Sequence, residues 1–293
     1  MSFIKFFLFA ILCSGFSLNL LARESVTAQE TTNEQGATKS TVTTNTLTLT
    51  ESTKTGDVIT QVNQQIKIIQ VKGAISRKLL ANLKTTIPSA GEDSVPAGFI
   101  VLLDSKGGDG MAAIEIGRLL RKANAHVFVN GECSSACILV LAGGVVRGAP
   151  TFSIGIHQAR ITLSSDSGVI KKEVNANEDP LAKSLLAKFD ASAKTYFSDM
   201  DISPELFVAM QSHPSKRVYR LSSQEITSYG LNGIEANYLM QRAQMYAQRP
   251  GRWPKDSDEL ARRTSKVSTD CMLYDNNPVD FTKCYRKVLQ DIY

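Results

Sequence analysis

Tryptophan and histidine are scarce in this chain: one Trp, at position 253, and three histidines, His126, His157 and His213, in 293 residues. Imidazole chemistry must therefore run through one of three positions. A strong charge of one sign is lacking too. Lys and Arg number 33 against 28 Asp and Glu, a formal net charge of +5, too small to make the whole surface a polyanion-binding one. The surplus concentrates between Arg242 and Lys266, where seven basic residues meet three acidic ones. A solvated face is the expected reading of that run, and without a nucleic-acid motif no nucleic-acid partner is expected. Long-period repeats are missing, which excludes solenoids and propellers. Two-residue zinc-knuckle spacing is missing as well, because the cysteines after the leader fall at 133, 137, 271 and 284. No metal and no cofactor is expected. With 43% hydrophobic and 21% charged residues, a wholly disordered chain is excluded.

The first residues carry Lys5, an apolar run from Phe6 to about Phe16, and a small-residue exit near Ser17, Ala22 and Ala28. That is the pattern of a secretory signal, expected over 1–28. The run breaks at Ser14-Gly15 and Asn19, short of the roughly 20 apolar residues of a membrane span, so membrane association is expected only if the segment stays uncleaved. The expected location is periplasmic or secreted. Between Thr27 and Thr55 lie twelve threonines and few apolar residues, so 29–60 is expected as a flexible spacer, although Thr46 to Thr50 alternates like an edge strand. Of five cysteines, Cys13 falls in the leader and four remain, an even number for an exported chain. A Cys271–Cys284 disulfide is expected in the tail over 238–293. Cys133 and Cys137 carry two readings: small buried residues that pack a helix on the sheet, or a bridge that fixes the turn between them.

From Ile66 the pattern becomes periodic. IKIIQVKG reads as a strand, Ser76 to Leu83 as a helix, and Phe99 to Leu103 as a strand buried on both faces. Met111 to Ala123 reads as a helix, His126 to Asn130 as a strand with His126 a structural residue at its edge, Ser134 to Ala142 as an apolar helix, and Thr151 to Ile156 as a strand. Alternation of this kind predicts an α/β core around a parallel sheet. Leu181 to Met200 reads as a helix after a polar surface excursion. In parallel sheets, chemistry collects beyond the carboxyl ends of the strands. Three such loops are chemically equipped: Asp104-Ser105-Lys106-Gly107-Gly108 with open backbone N–H groups, Gly131 to Cys137 with a hydroxyl at a helix start, and Gly155-Ile156-His157-Gln158 with a histidine. A serine hydroxyl needs a base within reach, and His157 is placed to be one. Ser134 is the rival of Ser135, with a structural task as a helix cap.

The succession D-S-K-G-G-D-G, C-S-S-A-C-I-L-V-L-A-G-G and I-G-I-H-Q resembles the Clp-protease proteolytic subunit family of the ClpP/crotonase superfamily, especially its exported relatives, over roughly 66–233. The resemblance implies a ClpP/crotonase-like core of repeated strand-strand-helix units with a parallel sheet over 61–237, plus a helical C-terminal tail. It implies Ser135 as nucleophile, His157 as general base, the N–H groups of Gly108 and Ala136 as oxyanion donors, a peptide or protein substrate, and a homo-oligomer by analogy. In the family a carboxylate orients the histidine shortly before a Leu-Ser-x-x-Glu segment, recognisable here as Leu221 to Glu225. The preceding stretch, Gln211 to Arg217, has none. Asp201, Asp199 and His213 remain as substitutes, and the alternative function is a catalytically weak or inactive relative that binds peptides or a protein partner in the same cleft. A crotonase-like acyl-CoA enzyme would use the oxyanion donors without the serine, and export argues against it. Lys106, where the family has proline, is expected to be solvent-exposed rather than the lysine base of signal peptide peptidases.

Overall fold

The computed structural model describes residues 21–25, 40–55, 58–87, 98–164, 170–239, 257–272 and 278–289. The apolar leader up to residue 20 and the break around Pro250 and Trp253 lie outside them.

The parallel core follows the expected alternation. Strands β1 (Leu21–Ser25), β2 (Thr41–Thr55), β3 (Val58–Lys72), β4 (Gly98–Ser105), β5 (His126–Ser134) and β6 (Val146–Gly148) lie side by side in that order, with β11 (Gly233–Ile234) beyond β6. β3, β4, β5 and β6 run parallel, whereas β1, β2 and β11 pair antiparallel to their neighbours. The protein is thus α/β with a mostly parallel sheet. One expectation for the N-terminal region differs from what is found. Residues 41–55, inside the expected spacer, pair along their whole length with β3, because alternating threonines suit a pleated strand. β1 pairs with β2.

Strand alternation sorts the core into two faces. On one face Ile69, Val71, Val101, Leu103, Val127 and Val129 pack against α1 (Arg77–Thr86), α2 (Gly110–Lys122) and α3 (Cys137–Ala142). On the other, Ile66, Ile68, Ile100, Leu102 and Phe128 meet Val267, Cys271, Phe281, Tyr285 and Leu289 of the tail. The tail, expected as a mere accessory, supplies the second layer: a helix Ser257–Lys266, a π-helical turn Val267–Cys271 and a last helix Pro278–Leu289. A parallel strand with two apolar faces needs a cover on each. His126, expected at a strand edge, is fully buried between the layers, its Nε2 at 2.8 Å from the Tyr238 hydroxyl and its Nδ1 bonded to the Tyr285 hydroxyl. Cys271 and Cys284 form the expected bridge.

Local signals set the helix starts. Ser76 caps α1 by accepting the Leu79 N–H at 3.1 Å, and Asp109 caps α2 by accepting the Ala112 N–H at 2.9 Å. Beyond β7 (Ile154–Ile156) come a surface hairpin of β8 (Ile161–Ser164) and β9 (Ile170–Val174), the helices α4 (Pro180–Asp199) and α5 (Pro204–Ser212), then β10 (Tyr219–Arg220) and α6 (Ser223–Ser228). A reciprocal capping box of Ser222 and Glu225 starts α6. Ala193 and Phe197 of α4 and Met200 at its end are buried, while Leu185 stays exposed.

Candidate active site

Strand β5 serves two neighbours. His126, Val127 and Phe128 pair with β6, whereas Cys133 and Ser134 pair with β7. The chain redirects at Gly131, whose φ of +127° is open to glycine. Added bulk there would meet the Asp104 carboxylate at 2.6 Å, and this close approach lets Asp104 accept the Glu132 N–H at 3.1 Å. The ends of β4, β5 and β7 are thereby gathered at one place.

At that place the two adjacent serines differ. Ser134 is 2% exposed, and its Oγ donates to Glu132 at 2.9 Å while accepting from Arg220 at 3.3 Å. Ser135 is half-buried and has φ +56°, a left-handed conformation that costs a non-glycine residue on the order of 1–2 kcal/mol. It stands at the turn from β5 into α3 and donates its N–H to the Gly155 carbonyl at 2.9 Å. His157 follows two residues after Gly155 on the neighbouring parallel strand, so the register sets Ser135 and His157 at adjoining strand ends. The imidazole is nearly buried, with Nδ1 at 2.7 Å from the carbonyl of Gln158.

The glycine loop after β4 closes on the serine turn from the other side. Gly107 has φ +102°, and a Cβ there would come within 2.7 Å of Ser135 Cβ and 3.0 Å of the Ala136 nitrogen. Its N–H is held by Ser105 Oγ at 3.1 Å and its carbonyl accepts from Ile75 at 2.9 Å. Gly108, φ +146°, is exposed and backs onto Ile75, whose carbonyl lies 2.2 Å from where a Cβ would stand. Gly107 is thus the residue pressed against the turn, with Gly108 next to it. Lys106 is exposed, as expected.

The two aspartates offered as orienting groups for His157 face arginines: Asp199 pairs with Arg118 at 3.6 Å and Asp201 with Arg121 at 3.9 Å, both at the far end of α2 from the glycine loop. His213 comes closer: its carbonyl accepts the Gln158 N–H at 2.8 Å, but its ring is stacked on Tyr219, centroids 4.3 Å apart. Cys133 and Cys137 are joined, with Cα atoms 5.2 Å apart, so the reading of two independent packed thiols is replaced by the bridge.

The roles of two site residues, Glu132 and Arg220, escaped the sequence reading. Glu132 receives Arg220 Nη2 at 2.7 Å as well as the Ser134 hydroxyl. Burial raises its pKa, but the hydrogen bonds from Ser134 and Arg220 and the charges of Arg220 and Lys106 outweigh this and hold it below the usual carboxylate range. Arg220 reaches Ser134 over Gly155, which it faces in the β7–β10 pairing; bulk at Gly155 would meet Ser134 Oγ at 2.4 Å. A glycine inside the short strand Ile154–Ile156 was the available signal of such an approach. Nothing local in the sequence marks Arg220, which a tertiary pairing brings in.

No family model matches the sequence, and no curated protein matches it. Solved structures are similar. A mutant of ClpP1 from Listeria monocytogenes shares 17% identity over 56% of this chain and 88% of its own, with a TM-score of 0.42. A mutant of the membrane-bound stomatin-specific protease 1510-N shares 17% identity over 59% of this chain and 82% of its own, with a TM-score of 0.41.

Proposed function

We propose that this chain is an exported serine peptidase-like hydrolase of ClpP/crotonase-like architecture, acting on peptide bonds through an acyl-enzyme on Ser135. The observation that carries the reading is the left-handed Ser135 at the strand-to-helix turn, its N–H bonded to the strand that leads into His157. In the proposed reaction His157 takes the Ser135 hydroxyl proton as Oγ attacks the scissile carbonyl carbon. The carbonyl oxygen becomes an oxyanion against the N–H groups of Gly108 and Ala136. His157 then passes the proton to the leaving amine, and a water deprotonated by His157 releases the acyl group.

The Nδ1–H of His157 donates to the neutral Gln158 carbonyl, which leaves Nε2 as the base. A neutral acceptor fixes the tautomer but does not stabilise the imidazolium as a carboxylate does. In a trypsin-type triad, exchanging that carboxylate for an amide lowers the rate by about 10⁴. The reading therefore includes slow hydrolysis of small peptide esters and little proteolysis of folded substrates. The same observation favours a second reading, a relative that binds peptides or a protein partner in this cleft without turnover. Two disulfides support a periplasmic or secreted location, because such bonds persist in oxidising compartments. Exposed Leu181 and Val208 on α4 and α5 support self-association.

A fluorophosphonate probe tests the reading on the full chain. Covalent labelling that is lost in Ser135→Ala and in His157→Ala, with circular dichroism unchanged, is the expected result. Labelling that survives in Ser135→Ala and disappears in Ser134→Ala would move the nucleophile, and a chain that takes no label but binds peptides would establish the second reading.

A further inference from the structure

We infer that Cys133 and Cys137 are positioning residues whose bridge holds the Ser135 turn in its reactive shape, an inference that rests on Ser135 as the nucleophile. The bridge joins a residue of β5 to the first residue of α3 and encloses only Ser134, Ser135 and Ala136, that is, the proposed nucleophile and one proposed oxyanion donor. A non-glycine residue at φ +56° stands on the order of 1–2 kcal/mol above the right-handed region, so the turn must be held by its surroundings, as it is at Asn124, Phe152 and Asp201; here the restraint that encloses the residue is a covalent one. Other restraints act on one side of the turn at a time. The Cys133 and Ser135 N–H groups bond to Ser153 and Gly155 of the sheet at 2.9 Å each, and the Ile138 N–H bonds back to Ser135 at 3.1 Å within the helix start. The disulfide spans from strand to helix, and Gly107 abuts the three residues it encloses.

Both cysteines are fully buried in the main core cluster. Two free thiols would fill that space about as well, so packing does not require the bond. Its specific consequence is a fixed path for three residues. A displacement of about 1 Å at a reacting group is enough to lower a rate about 100-fold.

The experiment uses the full chain carrying Cys271→Ala and Cys284→Ala, so that one disulfide remains, and measures fluorophosphonate labelling and peptide-ester hydrolysis. Adding Cys133→Ala and Cys137→Ala is expected to lower the labelling rate constant and kcat about 100-fold, with KM changed less than threefold and the circular dichroism retained. Reducing the single-bridge chain with excess dithiol gives the same loss; the protein disulfide takes up two electrons and two protons while the dithiol becomes a cyclic disulfide. Re-oxidation is expected to restore the rate, which a change in packing alone would not do. Ser135-dependent labelling within threefold of the starting rate after both cysteines are removed would overturn the inference. Loss of the fold in both the reduced chain and the variant with all four of these cysteines replaced would assign the bridge to stability and overturn it as well. Labelling that does not depend on Ser135 in the starting chain would defeat the proposed function instead, and is separable because it requires no cysteine change.

Discussion

The two disulfides sit on opposite faces of one sheet and do different physical work. Cys133–Cys137 closes a separation of 4 residues, Cys271–Cys284 one of 13. Chain-entropy arguments assign about 2 kcal/mol to the first loop and about 3 kcal/mol to the second. The shorter bridge encloses a strained serine, whereas the longer one staples a layer whose residues Phe281, Tyr285 and Leu289 are already buried. The contrast teaches that a cross-link's placement relative to strain, more than its span, marks where a fold holds a conformation it would not otherwise keep.

The largest expected effect that can break this contrast is at Gly107. Gly107→Ala forces a positive φ on alanine and drives its Cβ to 2.7 Å from Ser135 Cβ, so peptide-ester kcat/KM is expected to fall at least about 100-fold. Unchanged kinetics would show that the turn is not held from this side. The tail side is sharpened by Cys271→Ala with Cys284→Ala: chemical denaturation should show a loss of about 3 kcal/mol while labelling changes less than threefold. A large fall in labelling with little loss of stability would erase the difference between the two bridges.

A smaller effect separates the layers themselves. Tyr285→Phe leaves buried His126 one hydrogen bond short, a cost of about 1–3 kcal/mol in denaturation. Equal stability would mean that the aromatic packing alone holds the tail. The smallest effect is expected at Glu132, whose pair with Arg220 is partly exposed and therefore worth up to about 1 kcal/mol. Its carboxyl is held below the ordinary range, so the folded state gains stability above the unfolded carboxyl's pKa and loses it as pH falls through the lowered folded value. The stability difference between the parent and Glu132→Gln should shrink as pH falls below the ordinary carboxyl value of 4.5 and through the lowered folded value. A difference that is constant with pH would show that the carboxylate's charge is not what contributes.

Much of the fold was legible because its signals are local. The apolar run Phe99–Leu103 reads as a strand buried on both faces, and Met111 to Ala123 reads as a helix, as found in β4 and α2. The three equipped loops after β4, β5 and β7 were placed by the rule that parallel strands end together. The reading fell short where threonine-rich composition argued for a spacer over most of a segment that only its partner completes: residues 41–55 pair along their whole length with β3. His126 was misjudged because its partners Tyr238 and Tyr285 lie 112 and 159 residues away.

The site divides in the same way. Sequence alone determined which residues can do chemistry, a serine pair at a helix start, a histidine at a strand end, glycines that admit close approach, because residue type and spacing carry that information. Tertiary structure alone decided that Ser134 is engaged by Glu132 and Arg220 while Ser135 is left half-exposed, that Asp199 and Asp201 serve arginines at the other end of α2, and that Nδ1 of His157 meets a carbonyl. Those outcomes depend on which strands lie side by side and in what register, and that is fixed by burying two apolar faces at once, a condition no single segment contains.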